Sequence, residues 1–184
     1  MQDPGSSIPT REFGIILATA FCKEKTATSP DLKEAFEAHL EETRGQIERL
    51  DQVCASLDEK VRGKHCDGIA GIIDEGKSIM DEDFDGATMD ACLIAAGQRA
   101  EHYEMAAYGT LVAWAEVMGH SEAARLLQEN LDEEKAADEK LSGLAEGGIN
   151  QTAADEAHPA SEEEEELAMA GSPKKSPAKS ARRR

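Results

Sequence analysis

Aromatic side chains are scarce: four Phe, two Tyr and one Trp make up 4 % of 184 residues, in a chain that is 40 % hydrophobic. A core must therefore be assembled from Ala, Leu, Ile and Val, which suits helices and argues against a sandwich of aromatic-rich strands. No apolar run approaches the ~18 residues that a membrane span requires. Residues 1–14 lack the basic and apolar regions of a secretory signal, so a cytoplasmic protein is expected. The four cysteines, Cys22, Cys54, Cys66 and Cys92, form no C-x-x-C pair and read as reduced structural thiols. A zinc site at Cys66 and His65 lacks further partners at ligand spacing. Positive charge is short as well. Lys and Arg number 20 against 38 Asp and Glu, and the net charge of −18 works against unassisted binding to nucleic acid or anionic membranes.

What is present is helical periodicity. Residues 11–25 offer a weakly bounded first helix with Phe13, Ile16, Leu17, Ala20 and Phe21 on one face. Ser29-Pro30-Asp31 is a helix start, an N-cap followed by a first-turn proline and acid. The stripe Leu32, Phe36, His39/Leu40, Thr43, Ile47, Leu50, Cys54 and Leu57 carries that helix to about residue 58, and Gly63 ends the element. A short glycine-broken amphipathic piece spans 69–80, and an acidic loop over 81–86 leads to the next helix. There Met89, Leu93, Ala96, Ala100, Tyr103, Ala107, Thr110/Leu111, Trp114 and Val117 predict a stripe that stops at Gly119. The last helix, capped by Ser121-Glu122, shows Ala124, Leu127, Leu131, Glu134, Asp138, Leu141 and Ala145 before Gly147-Gly148. No segment alternates with a period of two. The expectation is an all-α antiparallel four-helix bundle, with 59–86 as a crossover between the second and third long helices. Its parts are an atypical first helix in 1–29, the bundle over 30–146 and a disordered tail over 147–184.

Three of these helices place polar groups on or beside the faces that should be apolar. His39 and Glu42 lie three apart with Gln46 a turn on; Glu101 and Glu104 lie three apart with His102 and Tyr108 nearby; Glu134 and Asp138 occupy consecutive stripe positions. Such pairs share a helical face and can converge on one point. Unpaired buried carboxylates cost several kcal/mol each, which a metal pair in the core would offset. The competing reading makes each acid part of a solvated face. It weighs most on Glu101 and least on Glu134 and Asp138, which interrupt a clean stripe, while His39 taken alone reads as a core histidine.

Several segments resemble the YciE/YciF-type ferritin-like family. They are Ala27-Thr28-Ser29-Pro30-Asp31-Leu32, His39-Leu40-Glu41-Glu42-Thr43, Glu101-His102-Tyr103-Glu104, Tyr108-Gly109-Thr110-Leu111, and Leu131-Asp132-Glu133-Glu134-Lys135 with Asp138. The resemblance runs from about residue 25 to 145. It implies a stress-induced four-helix bundle, often dimeric, with a rubrerythrin-like di-metal centre whose ligands are His39, Glu42, Glu101, Glu104, Glu134 and Asp138. The N-terminus departs from the family, whose first helix carries an acid in a Tyr-x-Ala-Glu-like stretch. Here the chain reads Thr10-Arg11-Glu12-Phe13. Either Glu12 substitutes as a weak ligand, or the helix is degenerate, or 1–24 come from a shifted frame or a wrong start.

The expected function is a ferritin-like protein that binds two irons (manganese is the other candidate) and oxidises ferrous ion with oxygen or peroxide. Oxygen donors with one imidazole suit those metals. Glu104 and Glu134 are the expected bridging carboxylates, and the remaining acids and His39 are terminal ligands or groups that orient them. Core packing is the plainer role for Tyr103 and Tyr108. The alternative is a metal-free dimeric stress or interaction protein. In the tail, eight acids without a base over 146–171 precede six bases without an acid over 172–184. That basic end could make weak, salt-sensitive phosphate contacts, though a solubilising tail is the plainer reading.

Overall fold

A computed structural model describes residues 27–60 and 65–159. The expected helix at 11–25 with Glu12, Cys22 and Gly63, and the charge blocks after residue 159, lie outside the described residues. Four longer helices follow one another: α1 (Pro30–Ser56), α2 (Asp67–Met80), α3 (Gly86–Val117) and α4 (Ser121–Leu144). A kinked segment (Ala145–Ile149) leads to a short α5 (Asn150–Ala157), and no strand occurs among the described residues. None of these helices is long and apolar enough to cross a membrane.

The helix starts follow local chemistry. Ser29 Oγ accepts from the Leu32 amide at 3.4 Å, with Pro30 at the first position and Asp31 in the first turn. Asp85 caps α3, accepting from the Thr88 amide at 2.8 Å and its hydroxyl at 2.7 Å. Those bonds, the amide first, hold its carboxyl down at about 2. Between α3 and α4, Gly119 takes φ +78, where an L side chain would be strained.

Packing sets the directions. Thr28 lies at Asp90, Phe36 faces Gly97, His39 faces Glu101, and Val53 clusters with Tyr108 and Val112, so α1 and α3 run the same way. Helix α4 runs against both, with Leu141 at Gly97 and Asn130 at Arg49. A Cβ on Gly97 would come within 3.0 Å of Leu141 Cδ1, so the glycine permits this close approach. Helix α2 packs back along the first half of α3, where Ile69 and Ile73 join Leu32, Phe36, Met89, Leu93, Ile94 and Leu141 in one apolar cluster. A second cluster at the far end joins Val53, Val112, Ala115, Leu126, Leu127 and Leu131. Between the two lies a polar layer: Thr43, Gln46, Glu101, Asn130 and Glu134 are all buried there.

The structure corrects three sequence expectations. The stripe foreseen on α3 beyond Ala100 faces outward: Trp114 is 60 % exposed and Val117 89 %, with Tyr103, Ala107, Thr110 and Leu111 also exposed. Helix α4 covers the neighbouring line of Glu101, Tyr108, Val112 and Ala115. Helix α3 is apolar on two adjacent faces, and periodicity cannot choose between them. On α1, Gln46 and Val53 are the deep positions rather than Ile47 and Cys54. Finally, 147–157 are not a disordered tail. Gly148 at φ +140 kinks the chain, Ile149 packs on the first cluster, and α5 lies against α3. Gly147-Gly148 is thus a bend between helices, not the end of order.

One buried acid secures the start of the bundle. Asp90 accepts from the Thr28 amide (2.6 Å), the Thr28 hydroxyl (2.6 Å) and the Ser29 amide (2.7 Å), tying α1 to α3. Asp90→Ala leaves two backbone donors without their partner and is expected to cost about 3 kcal/mol, read as a lower urea midpoint at unchanged slope. An unchanged midpoint would show that the tie contributes nothing.

Candidate metal centre

The polar layer is built from three helices that each turn one short motif inward. His39 and Glu42 sit one turn apart on α1, Glu101 and Glu104 on α3, and Glu134 on α4. Because α1 and α3 are parallel and α4 antiparallel, these turns reach the same height between the two apolar clusters.

His39 Nε2 lies 3.4 Å from Glu101 Oε1 and 4.0 Å from Glu134 Oε2. The side chains of His39, Glu101 and Glu134 are 12 %, 6 % and 1 % exposed. Their ligating atoms all lie within 4.8 Å of one another, and among the described residues this is the one such His/Cys/Asp/Glu group. Outside it, Glu42 Oε2 stands 3.5 Å from His39 Nδ1 with its side chain half exposed.

No hydrogen-bond donor reaches either carboxylate oxygen of Glu134 or Oε2 of Glu101, and His39 Nδ1 is likewise without a hydrogen-bond partner. Burial raises the affinity of Glu101 and Glu104 for protons. Burial first, then the adjacent Glu134 carboxylate and the charges of Glu104 and Asp138, push Glu101 up to about 11. Burial and the charge of Glu134 push Glu104 up to about 8. A hard cation fits what is missing: it would take the partnerless oxygens as donors and neutralise charges that the apolar surroundings cannot. Carboxylate oxygens with one imidazole are a donor set suited to iron or manganese.

The sequence-derived candidates do not all gather. His39, Glu101 and Glu134 meet, and Glu104 adjoins them through Glu134. Glu42 stands at the outer side of the imidazole. Asp138 is engaged elsewhere, since its Oδ1 accepts from Gln98 Nε2 at 3.2 Å and pairs with His102 Nε2 at 3.2 Å. Gln98 also donates to Ser142 Oγ at 2.8 Å, which fixes it on α4. Of the nearby groups, Tyr103 is remote, its hydroxyl 2.9 Å from Cys66 Sγ, and His65 pairs with Asp67 at 3.0 Å.

Tyr108 is the aromatic at the centre. It is 9 % exposed, and burial, then Glu104 and Glu134, hold its phenol well above the ordinary range. Sequence reasoning missed what lies below it. Asn130 is fully buried, its Oδ1 accepts from Arg49, and Arg49 also pairs with Glu133. The spacing held a signal, because Asn130, Glu134 and Asp138 follow one another at intervals of four along one face of α4.

Comparison with known proteins gives the family. Residues 16–154 match the family described as the domain of unknown function DUF892. Protein YciF of Escherichia coli (strain K12) is 46 % identical over 143 residues, covering 77 % of this chain and 86 % of YciF. The crystal structure of the E. coli stress protein YciF superposes with a TM-score of 0.70 at 42 % identity, covering 76 % of this chain and 91 % of that one. YcfI from Rhodopseudomonas palustris superposes with a TM-score of 0.68 at 44 % identity, covering 72 % and 83 %. The chain therefore belongs to the DUF892 family, alongside the stress protein YciF.

Proposed function

We propose that this protein is a ferritin-like di-metal carboxylate protein of the cytoplasm that oxidises ferrous iron with oxygen or peroxide during stress. In this reading 11–25 form the first helix of a four-helix bundle, with α1, α3 and α4 as the others and 59–86 as the crossover. His39, Glu101 and Glu134 would hold one metal ion, Glu104 would join Glu134 in holding the second, and Glu42, Asp138 and Glu12 are the further ligand candidates. The observation that carries the reading is Glu134, fully buried, with both oxygens partnerless and facing His39 and Glu101.

Iron bound there would supply the electron that the oxidant takes. The protein's own part is to dehydrate, orient and neutralise. Glu101 and Glu104 carry protons in the metal-free state and release them on binding. The two apolar clusters close the layer above and below.

Ferrous oxidation followed optically under air, with Glu134→Ala as control, tests the proposal. Oxidation well above the buffer rate, abolished in the variant, is expected; equal rates in both would contradict it. A second reading, a metal-free dimeric interaction protein, is favoured by the exposed apolar end of α3 at Leu111, Trp114, Val117 and Met118. A stable dimer by sedimentation together with no iron oxidation would select it.

A further inference from the structure

A cavity of about 130 Å³ opens between α1 and α4 directly above the triad. Its floor includes buried Phe36 and Glu101 together with His39; its rim is Ala38, Ala136, Glu42 and Lys140, all exposed, with Ala137 half-buried. Phe36 and Leu141 bound the cavity on one side, and beyond it Arg49 with Asn130 joins the two helices. Alanine at 38, 136 and 137 offers nothing beyond Cβ where the helices would otherwise close. The opening is therefore a property of these three positions.

We propose that this cavity is the port of the metal centre, that Ala38 and Ala137 set its width, and that Glu42 at its mouth is the first carboxylate an entering cation meets. The inference rests on the metal reading for the cation, but the passage itself concerns the opening above His39. Size decides what passes. At roughly 30 Å³ per water, the space holds about four waters, and sites for organic substrates run to some 300–1,000 Å³. A partly hydrated ion, oxygen or peroxide fits, whereas a drug-sized organic molecule does not. The port thus favours small reactants.

Ala137→Leu and Ala38→Leu reach the opening from opposite helices, and Ala106→Leu, exposed on α3 and away from the cavity, is the control. In the metal-free full-length protein, paramagnetic relaxation of the His39 ring proton by dissolved oxygen is measured by NMR. Both plugging variants are expected to reduce it at least threefold, with the control unchanged. In stopped flow, cobalt(II) uptake is expected to slow at least tenfold in both variants while reaching the wild-type stoichiometry. Unchanged oxygen relaxation at His39 in both variants overturns the port. Cobalt refused by the wild type, with oxygen relaxation still lost on plugging, removes the metal reading and leaves the port for small neutral molecules. Unchanged cobalt rates at unchanged stoichiometry overturn the port as the cation's route.

Discussion

Glu134→Gln is expected to stabilise the metal-free protein and, at the same time, to abolish its stabilisation by metal. Both oxygens of Glu134 are buried without a hydrogen-bond partner and its acidic neighbours Glu101 and Glu104 are carboxyls too, so little in the protein compensates its desolvation. An amide of the same shape removes the charge and can donate to Glu101. A gain of about 2 kcal/mol follows, or about 5 °C in melting temperature at this chain length. Added ferrous or manganous ion reverses the order. A ligand at 100 times its dissociation constant stabilises the wild type by about 2.7 kcal/mol, and the variant gains nothing. The crossing of the two melting curves on addition of metal is the diagnostic. If the variant melts lower than the wild type without metal and gains equally with it, Glu134 is neither strained nor a ligand.

The second large effect concerns pH. Glu101 and Glu104 are pushed up to about 11 and about 8 in the folded protein, against an ordinary 4.5 when unfolded. Between about pH 4.5 and 8 the folded state holds protons that the unfolded state has released. Stability is therefore fully present below the unfolded value and is lost as pH rises toward the folded ones. Each such group costs on the order of 1.4 kcal/mol per pH unit across its window. The metal-free protein is expected to melt about 10 °C or more lower at pH 8 than at pH 6. Metal loading should flatten that slope, because a cation takes the place of the protons. Calorimetric titration in buffers of different ionisation enthalpy should count one to two protons released per centre near neutrality. A flat metal-free profile with no proton release would mean that these carboxylates are not held together as described.

Much of this was legible because it is written in local chemistry. Ser29-Pro30-Asp31 starts α1, Gly119 with its positive φ separates α3 from α4, and the polar positions at 39, 101 and 134 interrupt apolar periodicity where three helices come to meet. The unreadable parts depend on what a neighbour does. Asp138 lies on the right face of α4, but Gln98 and His102 of α3 claim its carboxylate, and sequence spacing on α4 cannot register groups from another helix. The outer half of α3 is as apolar as its inner face, so only the docking of α4 determines which is buried. Gly147-Gly148 looks like a terminator, yet Ile149 finds a place on the core and the chain continues as α5. Asn130 and Arg49, polar residues in ordinary helical positions, acquire meaning only through each other.

The central claim is that three helices hold metal ions through His39, Glu101 and Glu134 in the layer between two apolar clusters. The direct measurement is elemental analysis of the full chain after anaerobic ferrous loading and desalting, beside Glu134→Ala. Two irons per chain in the wild type and none in the variant is the expected result. A folded wild type that retains no iron would contradict the account.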